Sequence, residues 1–249
     1  MTRQLGGSAT TSNQFNGVAQ PVAQVKAFVL GAGVFVVGEV INVDIYGRRY
    51  VYTVDSTVVD TVGANFIAAA NLLTVTTYPQ VALFTWAYTA SSNTITATHD
   101  TAGIEVPITL STDSALATID GAASSTGANT TASTGPNHID AAQNWSLGVA
   151  PINDDEVVFA DSIVSALYGL DQSAKTPDSI RIDASFIGQG GLWRTNNYGN
   201  ETAGRYVIYT GSADLQVLVG DGPGSGSPFF CLDTKAGLVN IDVQSTGKA

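Results

Sequence analysis

Residues His138–Ser162, HIDAAQNWSLGVAPINDDEVVFADS, place a Trp, a Gly, a Pro and a run of acids directly before the first β-rich run of the chain's second half. Two readings compete for them. Acids this close together suit a hard cation, which wants several oxygens. The same residues can also open and cap a stack of β-strands, with Trp145 over the end of the first rung and Pro151–Glu156 as a soluble turn. Asn153-Asp154-Asp155-Glu156 lacks the alternate-ligand spacing of a calcium loop and its distal Glu. Consecutive side chains on extended backbone also point to opposite faces. The capping reading is preferred, and no metal is expected.

Downstream, Val157-Val158-Phe159, Ile180-Arg181-Ile182, Tyr206-Val207-Ile208-Tyr209 and Phe229-Phe230-Cys231-Leu232 begin roughly two dozen residues apart. Shorter runs at Leu215–Val219 and Leu238–Val243 lie between or after them, and Gly- or Asp-rich turns separate all of these. Short strands at a coil-like period predict a β-solenoid-like domain over 138–249, with a β-sandwich as the alternative.

Upstream, residues 21–111 read as a small α+β domain. Val40–Tyr46 and Arg49–Val54 form a hairpin about Gly47. Val59, Val62, Phe66, Ala70 and Leu73 give one apolar helical face over Ser56–Leu73. Val81–Tyr88 with Thr94–Thr98 makes a second hairpin, and Ile104, Val106, Ile108 and Leu110 alternate in a last strand, where Pro107 suggests an edge. The expected order is β-β-α-β-β-β. Residues 1–20 are expected to be a flexible arm. The stretch 112–137, rich in Ser, Thr, Ala and Gly, is expected to be a linker, because it cannot build a core of its own. The fold class is thus mainly β, a small α+β domain followed by a solenoid-like or sandwich domain.

Composition narrows the function. The net charge is −11, Lys occurs only at 26, 175, 235 and 248, and charged residues make up 12% of the chain. No basic stripe is present, so nucleic-acid binding is not expected. No apolar run is long enough for a membrane span, and the N-terminus lacks the pattern of a signal peptide. Cys231 is single, which fits a buried small hydrophobe.

Catalytic constellations do not stand out. His99-Asp100 and His138 have no second His or Cys at zinc spacing. Gly220–Gly226 lacks the Lys and following helix of a phosphate loop. Asp154, Asp161, Asp171, Asp178 and Asp183 could supply a glycosidase pair, yet nothing selects two of them. Trp193 and Tyr198 could stack on sugars. No catalytic, cofactor or metal residue is assigned.

Some stretches resemble a family. Val22-Ala23-Gln24-Val25, Asp100-Thr101-Ala102-Gly103 with Val106-Pro107-Ile108-Thr109, and Asn144-Trp145-Ser146-Leu147-Gly148-Val149-Ala150-Pro151 with Asp155 and Val157 are three of them. The most specific is Tyr168-Gly169-Leu170-Asp171-Gln172-Ser173. They look like structural proteins of tailed bacteriophages and prophages. That resemblance implies a non-enzymatic virion component, a capsid decoration, cement or head-fibre protein made in the host cytoplasm without a signal peptide. Its partners would be the major capsid protein or other virion proteins and copies of itself, with a trimer favoured, and neither nucleic acid nor membrane. The alternative is a tail fibre or spike that binds a host surface glycan.

Overall fold

The computed structural model describes residues 11–31, 33–183, 185–195, 201–205, 207–209, 215–219, 232–233 and 239–243. The protein is mainly β and falls into two compact units. One is residues 21–134; the other joins residues 1–20 to 135–249. The first unit is therefore inserted in the chain of the second.

Strand β1 (Ser12–Phe15) precedes the insertion. The inserted unit carries β2 (Val25–Val29), β3 (Val40–Ile45), β4 (Arg48–Thr53), α1 (Val59–Asn71), β5 (Phe84–Thr89), β6 (Thr94–His99), β7 (Ile108–Thr112), β8 (Ser124–Ser125) and β9 (Ala128–Thr131). After it come β10 (Glu156–Phe159), β11 (Asp171–Gln172), β12 (Ser179–Ile182), β13 (Leu192–Thr195) and β14 (Glu201–Arg205). The last are β15 (Val207–Tyr209), β16 (Leu215–Val219), β17 (Leu232–Asp233) and β18 (Val239–Val243).

The inserted unit is built from two antiparallel four-stranded sheets, ordered β5-β6-β2-β9 and β4-β3-β7-β8. Period-two patterning sets their faces. Ile41, Val43 and Ile45 of β3 are fully buried, as are Ile95 and Ala97 of β6. The helix buries Val62, Phe66 and Ala70 in the same core. Phe66 meets Tyr52 of one sheet and Trp86 of the other edge-on, each at 5.6 Å between ring centres. Burying such a ring contributes about 2–3 kcal/mol, so Phe66 is a main tie between helix and sheets.

Several expectations need correction. The helix spans Val59–Asn71 and is shorter than Ser56–Leu73: the Val58 N–H is accepted by the Ser56 hydroxyl, and Leu72 N–H turns back to the Ala69 carbonyl. Strand β2 lies between β6 and β9, but only Phe28 in it is fully buried, which left no alternation to read. The 112–137 stretch is not only a connection. It supplies β8 and β9 as edge strands on β7 and β2. All four residues of β9 are exposed, so backbone pairing alone makes the strand. Pro107 is not in an edge strand; β7 starts one residue later and lies between β3 and β8. Within the expected arm, Ser12–Phe15 is a strand, with Phe15 fully buried.

The second unit pairs its strands differently. Its five-stranded sheet, β1-β10-β12-β16-β18, is parallel throughout. Val157 pairs with Ile180, Ile180 with Val217 and Val217 with Ile241, giving steps of 23, 37 and 24 residues. The long step holds the antiparallel β13–β14 hairpin. A second parallel sheet, β11-β15-β17, follows the same rhythm. The sequence reading grouped the runs wrongly here. Leu215–Val219 and Val239–Val243 continue the main ladder, whereas the Tyr206 and Phe229 runs lead into β15 and β17 of the other sheet.

Stacked strands place like residues over like at the usual inter-strand spacing. Phe15, Phe159 and Phe186 form an aromatic column with ring centres 5.6 and 5.4 Å apart. Ile139, Val157, Ile180 and Val207 fill the same core.

Candidate functional site

The acids before β10 are occupied locally. Asp155 is buried and its Oδ2 accepts the Ile152 N–H at 2.9 Å, closing the turn. Asn153 accepts the Thr176 N–H at 3.0 Å and so ties this turn to the next coil. Asp154 takes a left-handed φ of 65° and donates its own N–H to Thr176. Glu156 accepts from Arg181 at 3.1 Å, and Arg181 also pairs with Asp183. Among the described residues, no three His, Cys, Asp or Glu side chains converge as a metal site.

The other candidates are scattered in the same way. Asp161 takes a left-handed φ of 49°, and its backbone N–H donates to the Ser185 hydroxyl. Asp171 accepts the Ser173 N–H, and the Asp178 N–H donates to the Asp155 carbonyl. His99 is buried edge-on against Phe84, with Nδ1 2.8 Å from the Thr101 carbonyl oxygen. Asp100 accepts from the Thr85 hydroxyl. His138 is buried beside Tyr168 with ring centres 5.0 Å apart, and its Nδ1 lies 3.4 Å from Asp140 Oδ1. Tyr198, Gly220–Gly226, Cys231 and the side chain of Trp193 lie outside the described residues.

What the stretch around Trp145 does is close an edge. Strand β1 is the outermost strand of the parallel sheet, and residues 144–149 run along its free side. The Asn16 N–H donates to the Asn144 carbonyl at 2.6 Å, and the Ser146 N–H donates to the Gln14 carbonyl at 2.8 Å. Trp145 packs edge-on to Phe15 at 5.4 Å, and its indole N–H donates to the Ile139 carbonyl at 2.7 Å. Asn13, fully buried, donates to the Val149 carbonyl at 2.9 Å and accepts the Leu147 N–H. An uncovered strand edge invites pairing with other chains, and this segment removes that risk at the first rung.

Two asparagines that the sequence reading passed over prove central. Asn144 accepts the Ala19 N–H at 2.6 Å and donates to the carbonyls of Gly135 and His138 at 2.8 and 2.7 Å. It thereby fastens together the two places where the chain leaves for the inserted unit and returns from it. Within that unit, Val22 and Thr134 form a matching bridge. Asn71, at the end of α1, uses its amide like a strand: it donates to the Trp86 carbonyl and accepts the Trp86 N–H on edge strand β5. Neither Gln143-Asn144-Trp145 nor Ala70-Asn71-Leu72 carries a pattern that marks such a role.

Aspartates anchor the start of α1. Asp55 accepts from Tyr52 and Asn65, and these donors, Asn65 foremost, hold its carboxyl below the usual range. Asp60, in the first turn where a negative charge suits the helix dipole, accepts from Tyr88. Burial first and that hydrogen bond second push the Tyr88 hydroxyl up to about 12.

No protein-family profile matches the chain, and no curated protein matches it. Among the described residues, no helix is long and apolar enough to cross a membrane.

Proposed function

We propose that this chain is a non-enzymatic structural component of a bacteriophage virion, a capsid decoration, cement or head-fibre protein that acts by docking and self-association. The observation that carries the reading is the in-register parallel ladder of β1, β10, β12, β16 and β18, closed at its first strand by residues 144–149. We read this unit as a β-solenoid, whose repeated rungs give rigid length and lateral surface. Among the described residues, the candidate acids sit in turns and ion pairs and the two histidines are buried against aromatic rings, which supports a scaffold over a catalyst. The Tyr168–Ser173 stretch supplies the link to virion proteins. The resemblance alone makes a trimer the favoured assembly, since a closed trimer suits both local threefold positions of a shell and fibres.

The glycan-binding alternative has one observation of its own. The step between β12 and β16 is lengthened by the β13–β14 hairpin, which includes Trp193, and insertions in repeat architectures often form binding surfaces. Cryo-electron microscopy of the intact particle separates the two. Density for this chain on the head surface is the expected result. Density at the tail tip transfers the reading to a receptor-binding spike, and absence from the particle refutes both.

A further inference from the structure

The connection from β2 to β3 departs from ordinary turn chemistry. Turns favour Gly, Asn, Asp, Ser and Pro. Residues 33–39 here read Gly-Val-Phe-Val-Val-Gly-Glu. Phe35 is fully buried in the core of the inserted unit, yet Val34, Val36 and Val37 are 57%, 50% and 60% exposed. Leu116, 65% exposed, lies on the neighbouring segment: the Gly33 backbone abuts Leu116, and the Gly31 N–H donates to the Thr118 carbonyl at 2.8 Å.

The loop is held in this form. The Glu39 N–H donates to the Val36 carbonyl at 3.1 Å, and Glu39 Oε2 accepts the Val36 N–H at 2.8 Å. The Gly38 N–H donates to the Val54 carbonyl at 2.9 Å, and Gly38 takes the positive φ of 98° that the turn requires. Buried Phe35 and these bonds keep neighbouring aliphatics in water. Local rules broken under such constraint mark functional positions, and clustered exposed aliphatics mark contact surfaces.

Charge selects the occupant. Glu39 lies within the loop, and Asp113 stands at its base, accepting the Val40 N–H at 2.7 Å. The inserted unit has three basic residues, Lys26, Arg48 and Arg49. Lys26 donates to the Thr126 carbonyl and Arg49 pairs with Asp44 at 2.8 Å. A second copy meeting this face loop to loop would set the same Glu39 and Asp113 against it, and an anionic lipid surface would repel the loop. We propose that Val34, Val36, Val37 and Leu116 form a rigid docking knob for an apolar cleft, rimmed by Lys and Arg, on another protein of the assembly. The identity of that assembly rests on the virion reading above.

The test uses the full chain, titrated onto particles assembled without it, at low and high salt, with protein-free vesicles of phosphatidylcholine and phosphatidylglycerol alongside. The wild-type chain is expected to bind particles, more weakly at high salt. V36S/V37S and, separately, L116S are expected to lose roughly tenfold or more in affinity with unchanged thermal unfolding. Ile163→Ser, at an exposed isoleucine of the other unit outside the edge-closing segment, is expected to bind as wild type. If both loop variants bind particles like wild type, the docking knob is overturned while the virion reading stands. Binding that salt leaves unchanged or strengthens overturns the basic rim. Binding to vesicles in place of particles overturns the protein partner, and a wild-type chain that binds neither overturns the virion reading and the knob together.

Discussion

Replacing Asn144 by Ala removes three hydrogen bonds from a fully buried position and leaves nothing to replace them. The three partners do not suffer equally. The Gly135 carbonyl still accepts the His138 N–H, and the His138 carbonyl still accepts the Ala141 N–H. Ala19, itself buried, loses the acceptor of its N–H. An orphaned buried N–H costs about 1–3 kcal/mol, and each weakened carbonyl adds about 0.5–1 kcal/mol, so the expected loss is about 3 kcal/mol. With a urea slope of about 2 kcal/mol/M, the midpoint for the parallel unit should fall by about 1.5 M. Because the chain has two units, the transition must be followed by a probe local to one of them, and the fluorescence of Trp145 in a W86F/W193F background reports the parallel unit. Asn144→Asp keeps an acceptor for Ala19 but turns a carboxylate toward two carbonyl oxygens, and it should be at least as damaging. A midpoint shift below about 0.3 M for Asn144→Ala, or an Asp variant as stable as wild type, would refute the clasp.

Asn71→Ala should cost about 1 kcal/mol and increase aggregation, since it strips the β5 edge of both bonds to Trp86; unfolding and light scattering check this. Gly17→Ala should cost about 2 kcal/mol or more by urea unfolding, because Gly17 has φ 66° and a Cβ there would lie 2.6 Å from Val164 Cβ. In alkali, Tyr88 stays protonated in the folded state up to about 12, whereas in the unfolded chain it ionises near 10. Its stabilisation is therefore complete below about 10 and lost as pH rises toward about 12. The Tyr88→Phe variant should show a flatter alkaline limb in a pH series of unfolding midpoints. Asp55 acts at the other end: its depressed carboxyl contributes above the ordinary carboxylate range and loses that contribution on acidification through its folded value, so Asp55→Asn should flatten the acid limb. Residues 21–134 alone should give a cooperative thermal transition and dispersed amide signals; a disordered spectrum would contradict the closed Val22–Thr134 bridge as a natural boundary.

Much of the fold was legible where side chains alternate against a core. Val40–Ile45, Thr94–His99 and the apolar helix face read correctly because burial repeats at the period of the element. Strands made by backbone pairing alone were not legible. Ala128–Thr131 carries no buried side chain, and Ser12–Phe15 lies far in sequence from the strand it joins. The runs of the parallel unit were found, but their grouping was not, because an inserted hairpin broke the spacing. At the candidate site the acid-rich run allowed two readings, a cation site and a capping turn, of which the turn was preferred; in the structure Asp155 closes a turn on Ile152 and Asn153 ties it to Thr176. Asn144 and Asn71, which fasten the junction and cover the β5 edge, have no signature, since their partners are backbone groups and not patterned side chains.

The matched bridge between Val22 and Thr134 has a consequence for the order of events during synthesis. Strand β1 emerges from the ribosome long before β10, its only ladder partner among the described residues, and Phe15 must pair with Phe159 across the whole inserted unit. If that unit folds as soon as its own strands are made, its ends come together and the loop to be closed shrinks to roughly a quarter of its length, lowering the closure cost by about 1.3 kcal/mol. The inserted unit then works as an intramolecular matchmaker: it holds the waiting strand beside the point where the chain resumes, and nucleation of the first rung becomes a local encounter.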